Sequence, residues 1–183
     1  MSALLRFDHT TLDRGGRRLF EALDLELGPG DAVHVTGPNG SGKSSLVRLA
    51  AGLLEPAGGR VEWASLALAD DAIALDRELP LRRALEFWGG AIDPAMERLG
   101  IAGLAAVPVR LLSSGQLKRA TLARVAASGA ALWLLDEPLN ALDADGEARL
   151  ADMIRDHRAN GGGVLAASHQ PLAGDWRKLE LGA

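Results

Sequence analysis

The chain has 183 residues, 48% of them hydrophobic, and a formal net charge of −4. This length and composition, with no repeat or linker, predict a single domain over residues 1–183, and the mild acidity argues against a nucleic-acid partner. The absence of cysteine excludes disulfides, thiol catalysis and cysteine-ligated zinc.

The N-terminal residues lack the long apolar segment of a signal peptide. The longest apolar run, residues 130–135, is too short to cross a bilayer. We therefore expect a soluble, cytosolic-side protein whose membrane role, if any, depends on a partner.

Residues 3–36 have the pattern of strands and turns. Residues 13–18 are typical of a hairpin tip, and residues 23–27 alternate between apolar and polar side chains. Residues 28–30, Gly-Pro-Gly, predict a turn. A short apolar strand is predicted at residues 32–36.

A phosphate-binding loop follows that strand. Residues 37–44 fit the pattern G-x-x-x-x-G-K-[ST], and residues 45–54 have helical spacing. Lys43 is expected to reach the β- and γ-phosphates, and the Ser44 hydroxyl to ligate Mg²⁺. The alternative, a glycine-rich turn with a chance Lys-Ser pair, does not explain the flanking strand and helix. The predicted ATP-binding residues of this loop are Gly37, Pro38, Asn39, Gly40, Ser41, Gly42, Lys43, Ser44 and Ser45.

The middle of the chain is less regular. A short strand is predicted at residues 60–63, whereas residues 64–79 show no clean periodicity. Pro80 is expected to open a helix, with further helices near residues 94–99 and 115–127.

The second half alternates strands and helices. Residues 132–135 and 164–168 are apolar enough to be buried parallel strands. Residues 144–160 form an amphipathic pattern that ends at three glycines. This alternation indicates an α/β fold with a parallel sheet.

Asp136 and Glu137 follow the first of these strands. Parallel sheets bind ligands at the carboxyl ends of their strands. Asp136 is therefore expected to hold Mg²⁺, and Glu137 to act as the general base toward water. The alternative is an ordinary strand that ends in a solvated acidic turn.

Residues 112–116, LSSGQ, precede a helix that Ser113 or Ser114 can cap. The segment also resembles the LSGGQ signature of ATP-binding-cassette (ABC) ATPases. Residues 138–143 resemble the D-loop of that family, and residues 168–170 its switch-histidine loop.

The resemblance implies a P-loop NTPase core with an N-terminal antiparallel β subdomain and a small helical subdomain at about residues 72–122. It also implies ATP and Mg²⁺ as ligands and catalytic roles for Lys43, Glu137 and His169. His169 follows a buried strand and is expected at the γ-phosphate, the alternative being a plain surface or core histidine. ATP would lie between the P-loop of one copy and Ser113, Gly115 and Gln116 of another, in a head-to-tail homodimer.

A narrower resemblance is to the CcmA family, the ATP-binding subunits of cytochrome c maturation (haem export) complexes. It is carried by residues 79–88, 131–143 and 168–172. It implies CcmB- and CcmC-like integral membrane subunits, a peripheral location on the cytoplasmic face of the inner membrane, and no direct binding of haem. The alternatives are an ABC ATPase for another substrate, a soluble ABC clamp protein, and a cassette that binds ATP without hydrolysis.

The chain departs from the family pattern at two positions. The chain has two glutamines, Gln116 and Gln170, and neither lies at the position of the family's Q-loop glutamine. Asp71 falls near that place, and it is either a Mg²⁺ ligand or a solvated loop residue. No aromatic residue lies at the usual adenine-stacking position, where Arg14 either stacks on the base or is a solvated charge.

Two neighbouring aromatic residues, Phe87 and Trp88, leave a further choice open. They either line a groove for a helix of the membrane partner or pack in the core.

Overall fold

The structure is a computed structural model that describes residues 3–70, 72 and 75–182. The strands are β1 (Leu5–Arg14), β2 (Arg17–Leu27), β3 (Ala32–Thr36), β4 (Gly58–Trp63), β5 (Leu66–Ala69), β6 (Leu132–Asp136), β7 (Gly163–Ala167) and β8 (Arg177–Glu180). The α-helices are α1 (Lys43–Ala50), α2 (Leu81–Glu86), α3 (Ile92–Arg98), α4 (Ser114–Ala127) and α5 (Ala144–Ala159).

The N-terminal part forms a three-stranded antiparallel sheet in the order β2-β1-β4. Gly15 and Gly16 join β1 to β2 with φ of 59° and 75°. Two positive φ values in a two-residue loop match the right-handed twist of the paired strands. The predicted hairpin tip and the antiparallel β subdomain are therefore confirmed.

The second sheet is parallel and has the order β5-β6-β7-β3-β8. The predictions for β3, β6 and β7 are confirmed to within a residue. Strands β5 and β8 were not predicted. The order brings the carboxyl ends of β6, β7 and β3 next to one another.

The helices follow the sequence signals closely. Helix α1 begins at Lys43, two residues before the predicted start, and ends four residues before Leu54. Pro80 directly precedes α2, as predicted. Asp143 caps α5 by accepting a hydrogen bond from the Gly146 N–H at 2.9 Å. The range 72–122 for a helical subdomain stays a prediction; α2, α3 and the first turns of α4 lie within it.

Two hydrophobic clusters cover the faces of the parallel sheet. Leu132 and Leu134 of β6 pack in the cluster with α1 and the antiparallel sheet, while Trp133 and Leu135 pack in the cluster with α2 to α5. Successive side chains of a strand point to opposite faces, so β6 is buried on both sides. The end of β6 is therefore held firmly, and Asp136 is its last residue.

Candidate nucleotide-binding and catalytic site

The loop between β3 and α1 requires glycine at defined positions. Gly37 has φ of 141°, and a Cβ there would lie 2.3 Å from the Leu181 carbonyl oxygen. Gly42, the N-cap of α1, has φ of 103°. Because side chains rarely tolerate either situation, the glycines of the motif are needed for the curled backbone.

Lys43 is buried at the start of α1 and lies across its own loop. Its Nζ donates to the carbonyl oxygens of Gly37 at 2.8 Å and Pro38 at 3.1 Å. The Oγ of Ser41, also buried, has no hydrogen-bond partner among the described residues. A helix N-terminus adds positive potential to these donors, so the loop suits an anion.

Ser44 and Asp136 are brought together. The Ser44 hydroxyl donates to Asp136 Oδ1 at 2.9 Å, and Asp136 is buried. A hydroxyl and a carboxylate are hard oxygen ligands of the kind that Mg²⁺ prefers, so this donor set fits the ion. The third predicted ligand, Asp71, lies outside the described residues.

Glu137 and His169 also meet, at the ends of the neighbouring strands β6 and β7. Glu137 Oε2 lies 2.9 Å from His169 Nδ1. Glu137 has φ of 45°, which is sparsely populated for a residue with a side chain. Its N–H donates to the Ala167 carbonyl at 2.8 Å. The turn thus places the Glu137 carboxylate beside the His169 imidazole at the carboxyl end of the sheet.

A cavity of about 450 Å³ lies between the phosphate-binding loop and Glu137. Arg14 lines it from the hairpin tip, beside the predicted loop residues and Glu137. Leu19 also lines it and was missed, since one apolar residue in β2 carries no signal of its own. The described residues that line the cavity are Arg14, Leu19, Asn39, Gly40, Gly42, Lys43, Ser44, Ser45 and Glu137.

The LSSGQ segment forms the start of α4 through a capping box. Ser113 Oγ accepts from the Gln116 N–H at 3.2 Å, and Gln116 Oε1 accepts from the Ser113 N–H at 2.9 Å. Ser113, Gly115 and Gln116 line a cavity of about 610 Å³, and no described residue lines both this cavity and the P-loop cavity. Within one chain, therefore, the two predicted halves of the ATP site do not share a pocket.

The signature segment is joined to the predicted D-loop. A Cβ on Gly115 would lie 2.7 Å from the Ala141 carbonyl oxygen, so the two backbones touch. Arg119 donates to Asp143 and, at 2.9 Å, to Asp145. The Gly146 N–H and then Arg119 lower the pKa of Asp143. Helices α4 and α5 are thereby clamped together.

Lys118 is a further residue near the site, and it was not predicted. Its side chain is buried in α4, and Nζ donates to the Asp136 carbonyl oxygen at 3.3 Å. Thr121, Leu122 and Val125 are buried on the same helix at spacings of three, four and seven. A lysine on an otherwise buried helix face is the signal that could have identified it.

A further cavity of about 410 Å³ lies between β5, α4 and the end of α1. Trp88 lines it, with the Arg124 guanidinium 4.6 Å from its ring centroid. Phe87 stands beside Trp88 and is 82% exposed. The alternative that Phe87 packs in the core is therefore wrong. Leu53, also exposed, extends this apolar surface.

The ABC transporter family model matches residues 20–140 of the chain. A CcmA cytochrome c biogenesis ATP-binding export protein from Sphingopyxis alaskensis is 56% identical over 181 residues, covering 94% of this chain and 93% of the relative. A protein of the same name from Zymomonas mobilis is 52% identical over 176 residues, covering 92% and 80%.

Solved structures resemble the fold. The ATP-binding subunit of an ABC transporter has a TM-score of 0.83 at 20% identity, with 91% of this chain and 79% of that chain covered. A bacterial Atm1-family ABC exporter with ATP bound has a TM-score of 0.85 at 21% identity, with 97% and 36% covered.

The fold, the phosphate-binding loop and the capped LSSGQ helix define an ABC-type ATPase, and the prediction of a P-loop NTPase fold is confirmed. ATPase domains of this class bind nucleotide, dimerise and work with membrane subunits. The chain belongs to the ABC transporter family and, within it, to the CcmA family of cytochrome c biogenesis ATP-binding export proteins. In the part of the chain that the structure describes, no helix is long and apolar enough to span a membrane.

Proposed function

We propose that this chain is the ATP-hydrolysing subunit of a cytochrome c maturation complex that handles haem. The names of its close relatives, cytochrome c biogenesis ATP-binding export proteins, support the assignment to cytochrome c maturation. The observation that carries the chemistry is the convergence of Lys43, Glu137 and His169 at one edge of the parallel sheet, with the loop and Glu137 on a common cavity.

The roles of the site residues follow from their positions. The loop N–H groups and Lys43 hold the β- and γ-phosphates of ATP. Ser44 and Asp136 would hold Mg²⁺, which neutralises charge on the phosphate oxygens when bound. Glu137 accepts the proton of the attacking water, and His169 holds the Glu137 carboxylate through the 2.9 Å contact.

The separation of the two cavities supports a homodimer. The P-loop cavity has the lysine and the base, while the other has the capped N-terminus of α4. Pairing two copies head to tail gives each ATP both sets of contacts. In the closed dimer the γ-phosphate is contacted by both copies. Its loss on hydrolysis therefore removes contacts that hold the closed dimer together, and the dimer opens.

The apolar surface formed by Leu53, Phe87 and Trp88 is the proposed contact for the membrane partner. Exposed aromatic residues beside a groove are typical of sites that receive an amphipathic helix. We assign this helix to a CcmB- or CcmC-like subunit, which places the chain on the cytoplasmic face of the inner membrane. The chain needs no nucleic acid and no direct contact with haem.

The proposal is tested first by ATP turnover of the purified chain and of Glu137→Gln. The variant should still bind ATP but hydrolyse it at least about 100-fold more slowly, the usual loss for a general base. The exposed Glu55→Gln is the matched control and should leave turnover unchanged. Wild type that binds ATP but hydrolyses it no faster than Glu137→Gln would contradict the proposal.

The partner is tested by affinity purification from native membranes. We expect CcmB- and CcmC-like subunits to be recovered with the chain, and to be lost with Phe87→Asp. Recovery of a different permease would indicate another substrate. Recovery of no membrane subunit would favour the soluble clamp.

A further inference from the structure

The peptide unit between Asp136 and Glu137 is held from two sides. Its N–H, which belongs to Glu137, donates to the Ala167 carbonyl of β7 at 2.8 Å. Its carbonyl oxygen, which belongs to Asp136, accepts from Lys118 Nζ at 3.3 Å. Both polar atoms of one peptide unit therefore have partners, and those partners come from different elements.

This peptide sets the direction of the Glu137 side chain. Rotation of the peptide plane changes φ of Glu137, which is 45° in this structure. A non-glycine residue keeps such a value only where its surroundings enforce it. The Ala167 bond fixes one end of the peptide plane, and the Lys118 bond fixes the other.

Lys118 is well placed to enforce this conformation. Its side chain is buried, although it is a lysine, a residue type that is rarely buried without a specific partner. It lies in α4 two residues after Gln116, which closes the capping box with Ser113. Helix α4, which begins with the LSSGQ segment, therefore also carries Lys118, the donor to the Asp136 carbonyl.

We propose that Lys118 is a positioning residue that holds the Asp136–Glu137 peptide and thereby aims the Glu137 carboxylate toward the nucleotide. Because Lys118 moves with α4, the aim of the base depends on the position of the signature helix. When Ser113 contacts the ATP bound to the partner copy, any resulting shift of α4 moves Lys118 and so changes the position of the Glu137 carboxylate. This inference rests on the proposed role of Glu137 as the general base.

The experiment compares Lys118→Met, which removes the donor and the charge but keeps the length, with Lys118→Gln, which keeps a shorter N–H donor. The exposed Lys178→Met is the matched control, since the chain has three lysines and Lys43 is in the binding loop. The readouts are kcat and KM for ATP, melting temperature, and the crystal structure of Lys118→Met.

We expect kcat of Lys118→Met to fall by about tenfold to a hundredfold with KM nearly unchanged, because a base displaced by about 1 Å loses rate rather than binding. The kcat of Lys118→Gln should fall less, and the kcat of Lys178→Met should equal that of wild type. In the crystal structure of Lys118→Met, φ of Glu137 should leave the left-handed region, and the contact with His169 should lengthen.

Unchanged kcat in Lys118→Met, or a lower melting temperature with kcat per folded molecule preserved, would overturn the inference. If Lys118→Met does not fold, a crystal structure of Lys118→Gln in which the Asp136 carbonyl has lost its side-chain donor, with kcat and the φ of Glu137 unchanged from wild type, would also overturn it. The failure of the proposed function is distinct: it appears as normal turnover in Glu137→Gln, whatever Lys118 does.

Discussion

The P-loop edge of the parallel sheet and the signature corner of α4 are built in different ways. At the P-loop edge, Lys43 begins α1 directly after the loop that follows β3, and Asp136 and Glu137 lie at the end of β6. At the signature corner, a capping box and the clamp from Arg119 to α5 shape one helix N-terminus. In the proposed function, the first region supplies the groups for chemistry, and the second contacts the phosphates of an ATP bound to the partner copy. The difference between the two regions is the one we expect if each chain contributes two unlike halves of a shared site.

The largest expected effect lies at the P-loop edge. Replacing Lys43 by Met should weaken ATP binding by about 100-fold, the upper range for losing a charged hydrogen-bond donor. Titration with a fluorescent ATP analogue measures this, with Lys178→Met as control. If Lys43→Met kept wild-type affinity, the phosphate-binding role of the loop would be wrong.

A second change separates the two regions. Ser113→Asp keeps a good N-cap but sets a carboxylate against the partner's triphosphate. We expect it to abolish ATP-dependent dimers in the Glu137→Gln background, with ATP binding to the P-loop retained. Gel filtration with and without ATP measures the dimer. Dimers of Ser113→Asp as stable as those of its parent would refute the pairing.

The matched variant at the same position is Ser113→Ala. It should lower the free energy of unfolding by about 1 kcal/mol, because the cap is lost, whereas Ser113→Asp should not. Denaturant unfolding of the two variants distinguishes the stability role of Ser113 from its role toward ATP. If Ser113→Ala and Ser113→Asp lowered the free energy of unfolding equally, the helix cap would not depend on a side-chain oxygen at position 113, and our description of the capping box would be wrong.

The clamp between α4 and α5 predicts a stability effect of similar size. The Arg119 side chain is 12% exposed and makes several hydrogen bonds. Arg119→Ala should therefore lower the free energy of unfolding of the protein by about 1–2 kcal/mol. The control is Arg155→Ala, 69% exposed and paired only to α5 neighbours in the described structure, which should change little.

The pH dependence of this clamp has a defined sign. The folded-state pKa of Asp143 lies below its ordinary 3.8, so its contribution is complete above that value and is lost as the pH falls through the folded pKa. The stability gap between wild type and Arg119→Ala should therefore narrow in acid. A gap that stayed constant with pH would exclude the charged pair as its source.

The smallest expected effect concerns His157, which stacks on Trp133 at a ring distance of 3.9 Å. Burial lowers the pKa of His157 below 6.5, so the folded state favours the neutral ring. Stability should be complete above pH 6.5 and should decrease as the pH falls below it. Thermal melts of wild type and His157→Phe measure this, and an identical pH dependence in both would contradict it.

The sequence predicted the parts of the fold that have strong local signals. Strands β3, β6 and β7 are continuous apolar runs, and the motif glycines fix the loop before α1. Strand β8 was missed because Arg177, Lys178 and Glu180 are exposed at a sheet edge, where no apolar pattern is required. Strand β5 was missed because residues 66–69 are only four, two of them alanines, within an irregular stretch.

The site divides in the same way. Ser44 and Asp136 were both predicted as Mg²⁺ ligands, and they meet because α1 starts beside the end of β3 at the same sheet edge as the end of β6. The contact between Glu137 and His169 was not predicted, although each follows a strand that ends at this edge. The buried helix face could have singled out Lys118, but its contact with the Asp136 carbonyl could not be predicted, because a backbone acceptor 18 residues away leaves no trace in a sequence. Arg14 lines the P-loop cavity, and its contact with adenine stays a prediction.

The central claim is that the P-loop of one copy faces the signature segment of another only when ATP is bound. The chain has no cysteine, so two single-cysteine variants, Asn39→Cys and Ser114→Cys, both in the Glu137→Gln background, can report this with a short thiol cross-linker. Both positions are exposed. We predict cross-linked dimers when the two variants are mixed with ATP, and none without nucleotide. No cross-link with ATP, or an equal yield without it, would contradict the account.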